Sequence, residues 1–281
     1  MAGKITLLDG AGGTTLWHIA ESNGVEKVSV WRYNIEHPEY VEEVVRGYRD
    51  AGSQIILTNT FGANGPAVKH SSNYSVEEVI TAGVQAARRV LEGTDVKLSL
   101  DLGPLTQILE PYGDLEEDEC IEIYDEMLEA GMRAGCDMIT IETFMDLEMM
   151  RIVATEAKKY GVPVFCTMTY EKNGKTIFGN SVQDTIDVLE PIGIDAVGLN
   201  CSLGPDLALP VIREFSEKTK LPLIFKPNAG MPIMNADGKT TTEYSAVQFA
   251  EDVRPALDFV SYIGGCCGSD PDYIREIKKM L

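Results

Sequence analysis

The strongest constraint on the fold is an eightfold alternation of short apolar, β-branched runs with amphipathic segments. The runs are "ITLLD" (5–9), "QIILTNT" (54–60), "KLSLDLG" (97–103), "MITIET" (138–143), "VFCTMTY" (164–170), "AVGLNCS" (196–202), "LIFKPNAG" (223–230) and "FVSYIGG" (259–265). Their near-continuous apolar character marks strands buried on both faces, as in a parallel sheet. Between them lie stretches at helical spacing, such as "PEYVEEVVRGYRDAG", "SVEEVITAGVQAARRVLEG" and "EEDECIEIYDEMLEAGMRAG". Several close on glycine, as a helix C-terminus does. Eight strand–helix units without a linker or composition break predict one α/β domain over residues 1–281, a single (β/α)8 TIM barrel. A doubly wound sheet is the alternative.

Charge and length exclude several function classes. A net charge of −20 would be repelled by the phosphates of nucleic acid and of anionic membranes, so neither is an expected partner. No apolar run approaches the roughly 20 residues of a membrane span, and the apolar stretch in "MAGKITLLDG" is too short for a secretory signal. A cytoplasmic location is expected. Thiols stay reduced there, so the six cysteines read as buried, metal-binding or catalytic instead of as a disulfide framework.

In such a barrel, chemistry sits where strands end. Those positions carry Asp9, Asn59, Asp101, Glu142, Asn200, Cys201, Asn228, Cys266 and Cys267. Cys201 closes the sixth predicted strand and the vicinal pair closes the eighth, with one strand between, so three thiols can meet at one rim. Three thiolates with an exchangeable fourth position suit a catalytic zinc, with Zn–S of about 2.3 Å. Gly264, Gly265 and Gly268 would free the backbone to turn both adjacent side chains toward one ion. Spacing alone leaves three unrelated buried thiols equally open, because the cysteines are too far apart for a compact zinc motif.

The remaining candidates read more plainly. Cys120, Cys136 and Cys166 fall inside or at the end of core elements. His18, His37 and His70 lie away from strand ends, so a hydrolase with a histidine base has no candidate. "DGAGGTT" (9–15) lacks the Gly-Lys-Ser/Thr ending of a phosphate loop. It reads as a flexible turn, or as a loop whose N–H groups approach a substrate carboxylate. Lys226 in "IFKPN" reads as a salt-bridged lysine before a Schiff-base one.

"LLDGAGGTTL", "EHPEYVEEVVRGYRDAGSQIILTNTFGAN", "IETFMDLEM", "GLNCSLGP", "KPNAGMP" and "GGCCGSDPDYI" together resemble the homocysteine S-methyltransferase family, in the same order and from residue 5 to 275. The resemblance implies a TIM barrel, zinc (Zn2+) on Cys201, Cys266 and Cys267, and methyl transfer to the thiol of homocysteine to give methionine. It also implies that Asp9 and Glu142 hold the amino group of homocysteine and that nearby backbone amides hold its carboxylate. Asn200 and Asn228 join them as expected substrate contacts at the same rim. "NCSLGP" and "KPNAGMP" resemble the homocysteine-binding domain of cobalamin-dependent methionine synthase more than the betaine-using branch.

One barrel uses up the 281 residues, without folate- or cobalamin-binding modules and without an Asp-x-His-x-x-Gly signature. The expected methyl donor is therefore a methylated corrinoid on a separate protein; S-methylmethionine, S-adenosylmethionine or a betaine is the alternative, as is another thiol acceptor. A thiol of pKa near 8.5 is only about 3% thiolate at pH 7. A zinc site would remove that limit without a general base, in keeping with the scarcity of histidine. A non-catalytic thiol-binding barrel and a lyase working through Lys226 are the readings from other classes.

Overall fold

The computed structural model describes residues 4–230, 232–234, 240–242 and 244–281. Met231 of "KPNAGMP" and Glu243, at the head of a predicted helix, lie outside the described residues. Eight strands run parallel: β1 (Thr6–Leu7), β2 (Ile55–Leu57), β3 (Lys97–Leu102), β4 (Met138–Phe144), β5 (Val164–Met168), β6 (Ala196–Asn200), β7 (Leu223–Lys226) and β10 (Tyr262–Ile263). Their order, β1-β10-β7-β6-β5-β4-β3-β2, is that of a (β/α)8 TIM barrel. The β1–β2 seam is closed by Gln54, whose N–H donates to Leu7 O at 2.7 Å and whose Oε1 accepts from Leu7 N–H at 3.1 Å. Leu57 N–H then donates to Asp9 Oδ2 at 2.8 Å. Side chains complete the ladder where strand pairing stops.

The eight predicted helical stretches appear as α3 (Pro38–Ala51), α5 (Val76–Leu91), α6 (Glu117–Ala134), α7 (Leu147–Lys158), α8 (Val182–Leu189), α9 (Pro205–Lys218), α10 (Ala246–Val253) and α11 (Pro271–Lys278). In α3, Pro38 starts the first turn and Gly52, at φ 105°, ends the helix. Its buried Val41, Val44, Val45 and Tyr48 form one stripe against the barrel. Ser75 and Glu78 cap each other at the start of α5. Three helices were not legible: α1 (Gly12–Ser22), α2 (Tyr33–Glu36) and α4 (Gly65–Ser71). The "DGAGGTT" stretch is thus no flexible turn, since α1 begins inside it. A short antiparallel pair, β8 (Pro232–Met234) with β9 (Thr240–Thr242), also lies in the connection after β7. No described helix is long and apolar enough to cross a membrane.

Strand periodicity divides the core in two. Ile139, Ile141, Val197, Leu199, Leu223 and Phe225 pack outward beneath the helices. Leu8, Ile55, Met138, Phe165, Ala196 and Ile224 form a separate apolar floor inside the barrel. Two or four residues further along the same inward faces come Thr140, Glu142, Thr167, Asn200 and Lys226, all buried. The site is polar because the inward column changes chemistry above that floor. Gly198 lies in the same column, and a Cβ there would meet Ile224 O at 1.9 Å, so only glycine lets β6 and β7 approach.

Most predicted strands are longer than the observed ones: the first shortens from 5–9 to Thr6–Leu7 and the eighth from 259–265 to Tyr262–Ile263. The residues that drop out of the ladder at the C-terminal ends are the ones that turn to build the site.

Candidate active site

The end of β6 is shaped by Asn200. Its Oδ1 accepts from Thr143 N–H and Thr167 Oγ1, both at 2.8 Å, and its Nδ2 donates to Thr143 Oγ1 at 2.8 Å and to Cys266 Sγ at 3.7 Å. Asn200 is fully buried, with both ends of its amide engaged by the protein. Thr143 and Cys201 are the non-glycine residues with positive φ among those described, at 68° and 47°. A β-branched residue disfavours that region, so the contacts around Asn200 offset a real backbone cost.

The turn after β7 braces the thiols. Asn228 N–H donates to Leu203 O at 3.0 Å, Ala229 N–H to Cys267 O at 2.9 Å, and Cys266 N–H to Pro227 O at 2.9 Å. Loops after β6, β7 and β10 are thereby tied together, and Cys201, Cys266 and Cys267 come within 4.8 Å of one another at sulfur. Cys201 Sγ lies 3.3 Å from Cys267 Sγ, and all six cysteines are free thiols. Of the flanking glycines, only Gly268 adopts positive φ, at 81°. Gly264 and Gly265 serve another purpose than turning the chain: a Cβ would meet Asp9 O at 2.5 Å on Gly264 and Ser269 Oγ at 2.3 Å on Gly265.

The thiols compete for protons. Hydrogen bonds from Cys201 and Cys266 drive the Cys267 thiol down to about 3, while donation to its neighbours pushes Cys201 up. Cys266 is lowered by Cys201, but its bond to Cys267 and its burial outweigh that and push it up to about 12. Three sulfurs this close resist ionising together without a counter-charge other than protons. A divalent cation would replace those protons and let all three ionise. Tetrahedral Zn–S bonds of about 2.3 Å set S···S near 3.8 Å, within the 4.8 Å that bounds the observed cluster. The donor set fits zinc.

Across the mouth, Lys226 Nζ lies 3.0 Å from Asp9 Oδ1 and 3.3 Å from Glu142 Oε2. Burial alone would lower the lysine pKa, but Asp9 and Glu142 hold it well above the usual range. Held by two carboxylates, Lys226 is placed as a salt-bridged lysine. Burial pushes Glu142 up to about 7, against the pull of Lys226. Asp101 is raised well above the carboxylate range by burial and then by Glu142. Its Oδ1 and that of Asn228 are enclosed without a hydrogen-bond partner.

The three thiols, Lys226, Asp9, Glu142 and Asp101 share a cavity of about 580 Å³, lined also by Gly12, Gly13, Trp17 and Phe61, whereas Asn200 and Asn228 lie behind its wall. Among the described residues no side chain caps α1, and its first residues, Gly12 and Gly13, whose N–H groups have no partner within the helix, line the cavity with Asp9. None of the three histidines lines the cavity. Asn59, a candidate by position, also lines the cavity, while its Nδ2 ties loops together through Val30 O and Asn34 Oδ1. Cys120, Cys136 and Cys166 pack in the core. Sequence reasoning did not single out Thr143, Gln54 or Tyr48; the Tyr48 hydroxyl donates to Ala11 O at 3.0 Å and Ser269 O at 3.2 Å. As a helix-stripe tyrosine it carries no other signal.

Residues 6–281 match the family model described as "Homocysteine S-methyltransferase". The chain belongs to the homocysteine S-methyltransferase family. Over 302 aligned residues, 99% of this chain, it is 30% identical to a methionine synthase of Mycobacterium leprae (strain TN). It is 31% identical over 264 residues, 87% of this chain, to a methionine synthase of Mycobacterium tuberculosis (strain ATCC 25618 / H37Rv). It spans about a quarter of the length of these relatives, 24% and 22%. The homocysteine methyltransferase MmuM of Escherichia coli, metallated form, has the same fold, with a TM-score of 0.80 at 22% identity over 99% of this chain and 97% of that one.

Proposed function

We propose that this barrel is a zinc-dependent homocysteine S-methyltransferase that takes its methyl group from a methylated corrinoid on a separate protein and releases methionine. The observation that carries this reading is the convergence of Cys201, Cys266 and Cys267 within 4.8 Å at one side of the cavity, in a chain of this family. The three thiols would hold zinc, which when bound keeps the acceptor thiol deprotonated and nucleophilic at neutral pH.

The chain's own residues supply the rest. Asn200 keeps Cys201 and Cys266 in register, preceding the one in the chain and donating to the sulfur of the other. Asp9 and Glu142 take the ammonium of homocysteine, and the free N–H groups at the start of α1 take its carboxylate. Asn228 supports the sulfur end of the site through the turn that braces the thiols. No residue needs to accept a proton during transfer, because the acceptor is already a thiolate. The corrinoid is supported by the likeness of "NCSLGP" and "KPNAGMP" to the corrinoid-using branch and by the identity with the mycobacterial methionine synthases. A cytoplasmic setting fits a triad that must stay reduced to bind metal.

The test is a side-by-side assay of homocysteine methylation with methylcobalamin, betaine and S-methylmethionine. Demethylation of the corrinoid with formation of methionine is expected. Consumption of betaine or S-methylmethionine with the corrinoid left intact would move the enzyme to the small-molecule-donor branch.

A further inference from the structure

Lys226 stands where the amino group of an amino-acid thiol is expected. The inference drawn from this rests on the assignment of Asp9 and Glu142 to the substrate ammonium. Those carboxylates are already satisfied, since the Lys226 ammonium bridges them at 3.0 and 3.3 Å with side-chain exposures of only 4% for the lysine, 6% for Asp9 and 10% for Glu142. A second ammonium cannot join them without placing two like charges together in a buried pocket. Nor can Lys226 leave without a new counter-charge, because an unpaired buried ammonium is strongly disfavoured. The same cavity offers a carboxyl that can supply one by releasing its proton when the ammonium arrives. Asp101 faces it from β3, is 5% exposed, and has an enclosed Oδ1 with no partner. The Lys226 charge already acts on Asp101, pulling against the burial that raises it. A flexible four-carbon stem lets a lysine head change partners while its backbone stays in the strand.

We propose that Lys226 is a specificity-determining residue that occupies the substrate-ammonium position in the free enzyme and yields it on binding by moving to the carboxyl of Asp101. One ammonium replaces another, so the number of buried ion pairs on Asp9 and Glu142 does not change. The α-amino group of the acceptor then adds little to affinity, and the site selects its thiol mainly through the sulfur and the carboxylate.

Calorimetric titration of the zinc-loaded protein with homocysteine and with 4-mercaptobutanoate, which lacks only the amino group, tests this. For the wild type the two Kd values should lie within about threefold. In Lys226→Met the carboxylates lack a counter-ion, and homocysteine should gain at least tenfold over 4-mercaptobutanoate. Asp101→Asn takes away the destination of the lysine and should weaken homocysteine several-fold while sparing 4-mercaptobutanoate. Zinc content and thermal midpoint identify a variant that fails to fold, and Lys226→Gln then replaces the methionine variant. A wild-type preference for homocysteine above tenfold that Lys226→Met leaves unchanged would overturn the exchange while keeping homocysteine as acceptor. Equal weakening of both thiols in Lys226→Met would make the lysine merely structural. Binding of 4-mercaptobutanoate without any binding of homocysteine would sink both the exchange and the assignment of the acceptor.

Discussion

Asn200 and Thr143, 57 residues apart, exchange two hydrogen bonds, each of 2.8 Å: Thr143 N–H donates to Asn200 Oδ1, and Asn200 Nδ2 donates to Thr143 Oγ1. The pair joins the end of β4 to the end of β6 and holds Thr143 in a left-handed conformation next to Glu142. Cys201 follows Asn200 directly and is left-handed as well. One amide thus couples the carboxylate side of the cavity to its thiol side.

Asn200→Ala should therefore damage stability and metal binding together. It leaves the Thr143 N–H and the Thr167 hydroxyl unpartnered in a buried site, a loss of about 2–3 kcal/mol. Zinc affinity should fall 10- to 100-fold, as is typical when a group supporting a metal ligand is removed. Urea unfolding and competition with a chromophoric chelator read the two effects. Unchanged zinc affinity would remove Asn200 from the support of the site.

Cys201→Ala, Cys266→Ala and Cys267→Ala should each abolish stoichiometric zinc binding in metal analysis. Cys120→Ala, Cys136→Ala and Cys166→Ala should retain one zinc per chain and lose only about 1 kcal/mol of stability through packing. Full zinc in any variant of the first set would move the metal site elsewhere.

Gly198→Ala should cost about 3 kcal/mol, because its new methyl meets the carbonyl of Ile224 and forces β6 from β7. Zinc affinity should drop with it, since the loop carrying Cys201 is launched from β6. A wild-type denaturation midpoint would show that the strands can separate freely.

Ser75→Ala removes one half of the capping box that starts α5, in which Ser75 Oγ accepts from Glu78 N–H at 3.2 Å. A loss of about 1 kcal/mol is expected, with zinc content and methyl transfer unaffected. A change in zinc content would reveal coupling between the helix layer and the mouth that the fold does not suggest.

The barrel was legible because its signal is periodic and local. Runs such as "MITIET" and "AVGLNCS" are largely apolar over their first residues, as a strand covered on both sides needs, and eight of them with intervening amphipathic helices leave few topologies. The strand-end rule then located Asp9, Glu142, Cys201, Cys266 and Cys267 without any distance. It also placed Asn59 at the cavity, but could not show that the amide nitrogen there is held by Asn34 and Val30. Helix α1 was missed because two glycines open it, and glycine argues against a helix when propensity is the only guide.

By itself, then, the amino-acid order determined the architecture, the rim on which chemistry can occur and the residue types gathered there, since each follows from burial patterns within a few consecutive residues. Tertiary structure alone decided who pairs with whom. Lys226 meets Asp9 across 217 residues and Glu142 across 84, and neither pairing has a periodic signature. Closure of the barrel forces these charges into one water-poor space, where an ion pair or an unpartnered oxygen such as Asp101 Oδ1 carries far more weight than at the surface. The left-handed turns at Thr143 and Cys201 are likewise held through Asn200, and that contact reaches across β5, so it exists only once β4 and β6 flank that strand in the sheet.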